Sequence, residues 1–312
     1  MKVYLLSQKG INKEASEDRI LVGTEVFSDQ EAVRFLNQGH IMIADGVGGN
    51  NAGAVAAFQV CKKMADTFDL NPEAFSAINA HLFSMGAANE SYRNMATTAT
   101  GMLFSSEDTA KTYHVGNTRL YAIQAGEYLK QLTSDDTVVD YLIRTGKLTE
   151  DEAANYPARN EITSCFGGGK QSLLRVKLDK LDLSQYQQLL LTCDGIHDYL
   201  DTDEMEEILG QSDGDWASAI RSLIARAKDK GSPDDCSAVI IDCDPTLVAP
   251  CEDCFVAPAL DHFPEGIIEQ TVDRCHLSNS EEVVAEATRI ETSKSAKNKL
   301  WNFFKKTEKE EG

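Results

Sequence analysis

Strand-like segments of this sequence come in runs, and its helix-like segments come in pairs. Apolar residues at helical spacing predict helices at 52–68, 72–95, 203–209 and 215–229. Segments rich in Thr, Tyr, Val and Ile between turn residues predict strands at 97–105, 111–132, 173–178, 188–193 and 237–243. A doubly wound parallel sheet requires regular alternation of strand and helix, which this order does not show. The sequence therefore predicts an α+β fold with antiparallel sheets.

The formal net charge of −20 excludes one class of partner. Phosphate backbones repel such a chain, and counterion release on nucleic acid needs clustered Lys and Arg. We therefore expect no nucleic-acid partner. The same acidity suits a site for divalent cations, because such a site must gather carboxylates that otherwise repel one another.

The N-terminal segment and the cysteines indicate a cytoplasmic protein. The first apolar run, 3–6, is far shorter than a signal-peptide core, and no later stretch is long enough to span a membrane. Eight cysteines in 312 residues are too sparse for a disulfide framework. Five of them stand in apolar or strand-like contexts and are expected to be buried free thiols: Cys61, Cys165, Cys193, Cys236 and Cys243.

Acidic residues stand at predicted strand ends or glycine turns in five places. These places are Glu17-Asp18, Asp45-Gly46, Asp194-Gly195, Asp198 and Asp234-Asp235. A side chain at a strand end is held rigidly yet faces the rim of the sheet, and a following Gly lets a backbone carbonyl approach a ligand. A lone Asp-Gly is an ordinary turn. Its repetition after hydrophobic strands predicts oxygen ligands for Mg²⁺ or Mn²⁺.

Eight segments carry these acidic residues, with glycines and threonines, in an ordered series. In chain order they are Gly10 through Glu17-Asp18, Asp45-Gly46-Val47-Gly48-Gly49, Thr97-Thr98-Ala99, His114-Val115-Gly116-Asn117-Thr118-Arg119-Leu120-Tyr121, Leu132-Thr133-Ser134-Asp135, Asn160-Glu161-Ile162-Thr163, Asp194-Gly195 with Asp198, and Gly231-Ser232-Pro233-Asp234-Asp235. The series resembles the type 2C, or PPM, family of metal-dependent serine/threonine protein phosphatases, in its bacterial form.

This resemblance covers almost the whole of residues 1–244 and implies the architecture of that segment. The expected fold is an antiparallel β-sandwich flanked by helix pairs, with α-β-β-α layers and a two-metal centre at one end of the sandwich. Residues from about 135 to 169 resemble the flap that lies beside the cleft in the family.

The resemblance also implies a set of metal ligands. Asp45 would bridge both ions, with the Gly46 carbonyl as a further ligand. The other carboxylates divide between the two ions, with Asp194 and Asp234 on one and Glu17 and Asp18, largely through water, on the other.

The implied activity is hydrolysis of phosphoserine and phosphothreonine in other proteins. Two Mn²⁺ or Mg²⁺ ions lower the pKa of a bridging water, so that hydroxide can attack phosphorus in line. The ions also neutralise charge on the phosphoryl oxygens. The expected partners are phosphorylated proteins and a cognate serine/threonine kinase.

Four residues depart from the family's pattern. Lys13 stands where the family commonly has an arginine that grips the substrate phosphate, and an ammonium keeps the charge but loses the bidentate fork. Asn117 replaces an aspartate that binds a third metal ion in the family. Asp198 matches another ligand of that ion. Because the neutral amide of Asn117 is a weaker ligand for a dication than a carboxylate, we expect the third site to be weakened. Asp235 stands where asparagine is usual and Asp136 where histidine is frequent, and the sequence explains neither.

One alternative to this assignment and one residue role stay open at the level of sequence. Lys13 and Asn117 are compatible with a catalytically weak or inactive pseudophosphatase that binds phosphoproteins or acts as a scaffold. Against this stands the complete set of acidic residues for a two-metal core. His197 is a candidate proton donor to the leaving group, although a histidine with a structural or merely exposed role is commoner.

Residues 245–312 differ in composition from the rest of the chain and are predicted to form a C-terminal extension with a helix at 279–306. The segment 300–306 has an aromatic face and a basic edge. It is a candidate for docking a partner or a membrane surface, or for packing on the phosphatase domain. The extension also contains four candidate zinc ligands, Cys251, Cys254, Cys275 and His276. The alternative is that the three cysteines are unpaired thiols.

Overall fold

The computed structural model describes most of the first 243 residues and one later strand. The described ranges are 1–47, 52–104, 109–124, 128–153, 156–169, 172–243 and the backbone of 266–270. The candidate zinc ligands, the predicted helix at 279–306 and the segment 300–306 lie outside the described residues.

Short strands make up most of the regular structure of the described chain. They are β1 Lys2–Gln8, β2 Arg19–Val22, β3 Glu25–Phe27, β4 Glu31–Phe35, β5 Gly39–Ala44, β6 Gly46–Val47, β7 Ala96–Thr97, β8 Ala99–Phe104, β9 Thr109–Val115, β10 Arg119–Ile123, β11 Leu129–Gln131, β12 Phe166–Gly167, β13 Leu174–Asp182, β14 Gln188–Thr192, β15 Cys236–Asp242 and β16 Gly266–Gln270. The α-helices are α1 Ala52–Ala65, α2 Pro72–Ala88, α3 Val138–Arg144, α4 Glu150–Ala153, α5 Asp194–His197, α6 Thr202–Gln211 and α7 Trp216–Asp229.

Two antiparallel sheets form the centre of the fold. Their strand orders are β11-β10-β14-β15-β1-β4 and β16-β13-β9-β8-β5-β2-β3. Side chains alternate between the two faces of each strand. In β5, Ile41 and Ile43 pack in a core shared by both sheets, whereas Met42 and Ala44 pack in the core formed with α1 and α2. The predicted antiparallel sandwich is confirmed.

Helix pairs cover the outer faces of the two sheets. Val60 of α1 and Phe75 of α2 are buried against the β5 side of the sandwich. Leu209 of α6 and Leu223 of α7 are buried with Leu190 of β14 on the opposite side. The layers therefore follow the predicted α-β-β-α order, and two of the three hydrophobic cores lie between a sheet and its helices.

The second predicted helix is longer than the observed one, because apolar spacing alone does not show where a helix ends. It begins as expected, with the Asn71 side chain accepting from the Ala74 N–H at 2.8 Å and Pro72 in the first turn. It ends at Ala88 instead of 95. Asn89 leaves the helical conformation, and its side chain caps a short 3₁₀ turn by accepting from the Ser91 N–H at 3.0 Å.

One strand lies beyond the predicted domain boundary at residue 244. β16 pairs antiparallel with β13 from Leu174↔Gln270 to Leu178↔Gly266. The chain separates into two compact units, Met1–Gln270 and Thr271–Gly312. The first unit therefore includes the strand at 266–270 in addition to the residues before 244.

This pairing predicts different stabilities for two truncated chains. A chain that ends at Gln270 should keep the melting temperature of the full-length protein, because the first unit stays whole. A chain that ends at Pro245 should melt at a lower temperature, because it loses the β16 ladder and leaves that side of β13 unpaired. Differential scanning calorimetry measures both. Equal melting temperatures for the two truncated chains would contradict a stabilising role of β16.

Candidate metal centre

Strand register brings six acidic residues to one end of the sandwich. Ala44, the last residue of β5, pairs with Arg19, the first residue of β2. Gln8, the last residue of β1, pairs with Cys236, the first residue of β15, and β14 ends beside β15. The residues that flank these strand ends therefore share one rim: Glu17, Asp18, Asp45, Asp194, Asp234 and Asp235. We call this set the carboxylate cluster.

Asp18 is buried deeply in the cluster, and no hydrogen bond from the described chain compensates its carboxylate for the loss of water. It is 1% exposed, and neither carboxylate oxygen has a hydrogen-bond partner among the described residues. Burial, followed by the negative charge of Asp235, raises the pKa of Asp18 to about 7. Glu17 Oε1 is also buried without a partner in the described chain. Unpaired buried polar atoms are rare in folded proteins, so these oxygens indicate a place for a bound group.

Asp45 and Asp194 are partly buried carboxylates whose pKa values are raised. Burial, and then the charges of Asp194 and Asp18, raise the pKa of Asp45 well above its usual range. Burial, and then the charges of Asp198 and Asp234, raise the pKa of Asp194 to about 6. These carboxylates therefore lie close enough to repel one another, and a cation between them would relieve the repulsion.

Two threonines fix the backbone of Asp45. The Asp45 N–H donates to Thr98 Oγ1 at 3.0 Å, and the Thr98 N–H donates to the Asp45 carbonyl at 2.9 Å. The Thr97 hydroxyl donates to the same carbonyl at 2.8 Å. Thr97 and Thr98 belong to the segments that resemble the family, but the resemblance implies no role for them. Their role is to hold Asp45 at the rim.

Helix α1 approaches the backbone of β6 beside Asp45. A Cβ atom on Gly46 would lie 2.4 Å from the carbonyl carbon and oxygen of Gly53. A Cβ atom on Gly53 would lie 2.8 Å from Glu17 Oε1. Both positions require glycine because a side chain does not fit there. The start of α1 thus closes one side of the cluster and brings Glu17 against Gly46.

Lys13 lies within the cluster and forms ion pairs there. Its ammonium Nζ is 2.5 Å from Asp234 Oδ1, 2.9 Å from Asp235 Oδ2 and 3.7 Å from Glu17 Oε2. Burial favours the neutral amine, but hydrogen bonds to Asp234 and Asp235 outweigh it and raise the pKa of Lys13. The side chain is therefore a permanent cation. The contact of Lys13 with a substrate phosphate stays a prediction.

The two residues predicted for a third metal ion have different surroundings. Asn117 is buried, and its Nδ2 donates to Asp194 Oδ2 at 2.9 Å. It therefore holds Asp194 through its amide hydrogen. Asp198 is exposed and lies within the electrostatic influence of Arg119 and Arg159. The role of both residues toward a metal ion stays a prediction.

The start of the predicted flap is anchored to the sandwich. Arg119 forms a bidentate pair with Asp135, with Nε 3.0 Å from Oδ1 and Nη2 2.7 Å from Oδ2. Lys177 Nζ is 2.7 Å from Asp136 Oδ1, and Asp136 Oδ2 accepts from the Gly116 N–H at 3.1 Å. Asp136, which the sequence left unexplained, is therefore a structural anchor at the base of the flap.

His197 is not suited to donate a proton to a leaving group. It is 7% exposed, and its Nδ1 lies 2.8 Å from Thr192 Oγ1. Burial, and then the charge of Arg119, hold the pKa of His197 well below its usual range. The imidazole is therefore neutral near pH 7, which favours the structural interpretation of this residue.

The carboxylate oxygens of the cluster suit a hard divalent cation, but the side chains do not surround one common point. Among the described residues, no group of three or more His, Cys, Asp or Glu side chains is already arranged to hold a metal ion. The carboxylates repel one another, while Lys13 and Asn117 hold Asp234 and Asp194. Carboxylate oxygens are the ligands that Mg²⁺ and Mn²⁺ prefer, and the unpaired oxygens of Asp18 are available for a cation or its water.

The α-β-β-α sandwich, with buried carboxylates at one end of its two packed sheets, agrees with the fold class predicted from the sequence. A family model for protein phosphatase 2C matches residues 25–235. The chain belongs to the protein phosphatase 2C family, and the family predicted from the sequence is confirmed.

Similar proteins come from several bacteria. Protein phosphatase PhpP of Streptococcus pneumoniae serotype 2 (strain D39) is 29% identical over 213 residues, which cover 64% of this chain and 84% of PhpP. The crystal structure of the serine/threonine phosphatase PstP of Mycobacterium tuberculosis is 25% identical with a TM-score of 0.63, and the match covers 78% of this chain and 99% of that one. A structure of the PstP catalytic domain in complex with two manganese ions has a TM-score of 0.57 at 23% identity, with 78% and 99% covered. This last likeness shows the fold alone.

In the part of the chain that the structure describes, no helix has the length and apolar character needed to cross a bilayer.

The raised pKa values predict how stability depends on pH in the metal-free protein. Between 3.8 and about 7, Asp18 holds a proton in the folded chain but loses it in the unfolded chain. Stability therefore falls as pH rises through this window, by roughly 1.4 kcal/mol for each unit of pKa difference. We expect a higher melting temperature at pH 5.5 than at pH 8 in the presence of a chelator, measured by scanning calorimetry.

The Asp18→Asn variant is the control for this prediction. It removes the titrating group, so its melting temperature should fall less between pH 5.5 and pH 8 than that of the unaltered protein. An identical pH dependence in the two proteins would show that Asp18 is ionised throughout this range.

Proposed function

We propose that this chain is a metal-dependent serine/threonine protein phosphatase that hydrolyses phosphoserine and phosphothreonine in other proteins. The observation that carries the proposal is the set of buried oxygens of Asp18 and Glu17, unpaired within the described chain, beside Asp45. Membership of the protein phosphatase 2C family and relatives named as serine/threonine phosphatases support it. They favour an active enzyme over a pseudophosphatase.

The carboxylate cluster would hold two Mn²⁺ or Mg²⁺ ions. The PstP catalytic domain, which has the same fold, is known in complex with two manganese ions, and we propose the same number for this chain. The ions would supply a water of lowered pKa and neutralise charge on the phosphoryl oxygens. The proposed ligands are Asp45 as the bridge with the Gly46 carbonyl, Asp194 and Asp234 on one ion, and Glu17 and Asp18 on the other.

The protein's own groups would orient the reaction around these ions. Thr97 and Thr98 fix the backbone of Asp45, so its carboxylate has a defined place at the rim. Lys13 would bind the substrate phosphate as a point charge, which is weaker and less directional than an arginine fork. Its permanent charge and its place beside Asp234 support this role.

A third metal ion would bind weakly beside Asp194. Asn117 offers an amide in place of a carboxylate, and a neutral oxygen is a poorer ligand for a hard dication. Its Nδ2 already donates to Asp194 Oδ2. Asp198 would then be the remaining charged ligand of that site.

We propose phosphorylated proteins as substrates, a cognate serine/threonine kinase as the opposing enzyme, and the cytoplasm as the location. The described cysteines support a reducing compartment, because they are free thiols and four of the five are buried: Cys61, Cys165, Cys193 and Cys236, with Cys243 partly buried. A role of residues 245–312 in docking a partner stays a proposal from sequence.

The Asp45→Asn variant tests the mechanism. It keeps size and shape but removes the charge that would let two cations lie close together. We expect manganese-dependent hydrolysis of p-nitrophenyl phosphate to fall more than a hundredfold, which corresponds to about 3 kcal/mol in the activation barrier. Without metal the variant should melt no lower than the unaltered protein, since one repelling carboxylate has gone.

Asp66→Asn is a matched control, because Asp66 is exposed just after the end of α1 that is remote from Gly53. It should retain full turnover. Near-normal turnover in Asp45→Asn, with an unchanged circular dichroism spectrum, would refute the proposed mechanism.

A further inference from the structure

Two aspartates tie together the two arms of the loop that leads into Glu17 and Asp18. Asp29 accepts from the Lys9 N–H at 2.7 Å and from the Ser16 N–H at 3.0 Å. Asp235 accepts from the Gly10 N–H at 2.7 Å and from the Glu17 N–H at 2.8 Å. Each carboxylate thus bridges the beginning and the end of the same loop.

Asp235 differs from Asp29 in burial and in an added cation. Asp29 is exposed, whereas Asp235 is 3% exposed. Asp235 Oδ2 also accepts from the Lys13 ammonium at 2.9 Å. A buried carboxylate destabilises a protein unless it is paired and hydrogen-bonded. The two N–H groups and the ammonium meet this requirement for Asp235.

Asparagine, the residue usual at this position in the family, does not satisfy the same neighbours. Its side chain has one acceptor oxygen and an NH₂ group that donates. If the oxygen accepts from the Gly10 N–H, the NH₂ group faces the Glu17 N–H and the Lys13 ammonium, which are both donors. The environment of residue 235 therefore requires a carboxylate as long as Lys13 points into it.

Lys13 has two further carboxylate partners, Asp234 and Glu17, but both are proposed metal ligands. Asp234 is half exposed and is a proposed metal ligand. A metal ion on Asp234 would compete with the ammonium for the same oxygens. Asp235 is not among the proposed ligands, so it is the partner that stays available to Lys13.

We propose that Asp235 is a positioning residue that holds the Lys13 ammonium at the mouth of the carboxylate cluster while it ties the loop carrying Glu17 and Asp18. The proposal rests on the proposed function, in which Lys13 binds the substrate phosphate. An ammonium on a flexible side chain binds phosphate well only if its place is fixed. Asp235 holds the Lys13 ammonium in one place. An arginine at position 13 would be oriented by its own planar guanidinium and its two parallel hydrogen bonds.

Inorganic phosphate, used as an inhibitor of manganese-dependent p-nitrophenyl phosphate hydrolysis, probes this contact. We expect Asp235→Asn and Lys13→Met each to raise the inhibition constant for phosphate roughly tenfold, the scale of one charge-assisted hydrogen bond. The KM should rise more than kcat falls. The double variant should be no more than about twofold worse than Lys13→Met, because both changes remove one contact. Effects that multiply in the double variant would overturn the proposal.

Asp29→Asn is the matched control, because it loosens the same loop without touching Lys13. It should lower the melting temperature while the inhibition constant for phosphate stays the same. If Asp29→Asn raised that constant as much as Asp235→Asn, loosening of the loop would explain the effect and positioning of Lys13 would be refuted.

Thermal unfolding of the metal-free variants separates this inference from the proposed function. Lys13→Met should lower the melting temperature of the unaltered protein but change that of Asp235→Asn little, since the buried charge that needs Lys13 is already gone. Additive shifts would refute the pairing even in an active phosphatase. Coupled shifts in a protein without metal-dependent hydrolysis would support the pairing and refute the proposed function.

Discussion

Repulsion among buried carboxylates at one end of the sandwich is the constraint on which the rest of this structure depends. Asp18 is almost fully buried without a hydrogen-bond partner among the described residues, and Asp45 and Asp194 carry raised pKa values beside it. Hydrophobic burial in three cores has to supply the stability that this arrangement removes. These carboxylates lower the stability of the metal-free protein. A bound cation would remove their repulsion, so the free energy that they cost without metal would favour metal binding.

The sandwich holds the cluster in place through its backbone more than through its side chains. Antiparallel register brings the ends of β5 and β14 and the starts of β2 and β15 to one rim. Thr97 and Thr98 then fix the backbone of Asp45, and the close approach of Gly46 and Gly53 sets the position of α1. Asn117 and Lys13 act on the carboxylates themselves, one as an amide donor and the other as a cation.

The fold class could be predicted because its signals are local, and the family could be predicted because eight short motifs follow one another in order along the chain. Strand and helix periodicity and the acidic residues after hydrophobic runs can be read within short windows. The predicted end of α2 was wrong, because Asn89 ends the helix at a place where the apolar residues still follow a helical spacing. The pairing of Lys13 with Asp234 and Asp235 joins residues 221 and 222 positions apart, which no local pattern reports. The role of Asp136 likewise depends on Lys177 from another strand. The predicted metal and phosphate contacts stay predictions.

Calorimetric titration of the metal-free protein with Mn²⁺, repeated in buffers of different ionisation enthalpy, shows whether the carboxylate cluster binds two ions and releases protons as it does so. We expect two ions to bind per chain near pH 7 with release of protons, because Asp18, with a pKa of about 7, and Asp194, with a pKa of about 6, must lose their protons to accept a cation. Proton release should decline at pH 8, where these groups are already ionised. Binding of fewer than two ions, or binding with no proton release at either pH, would contradict the claim that this cluster is a two-metal site.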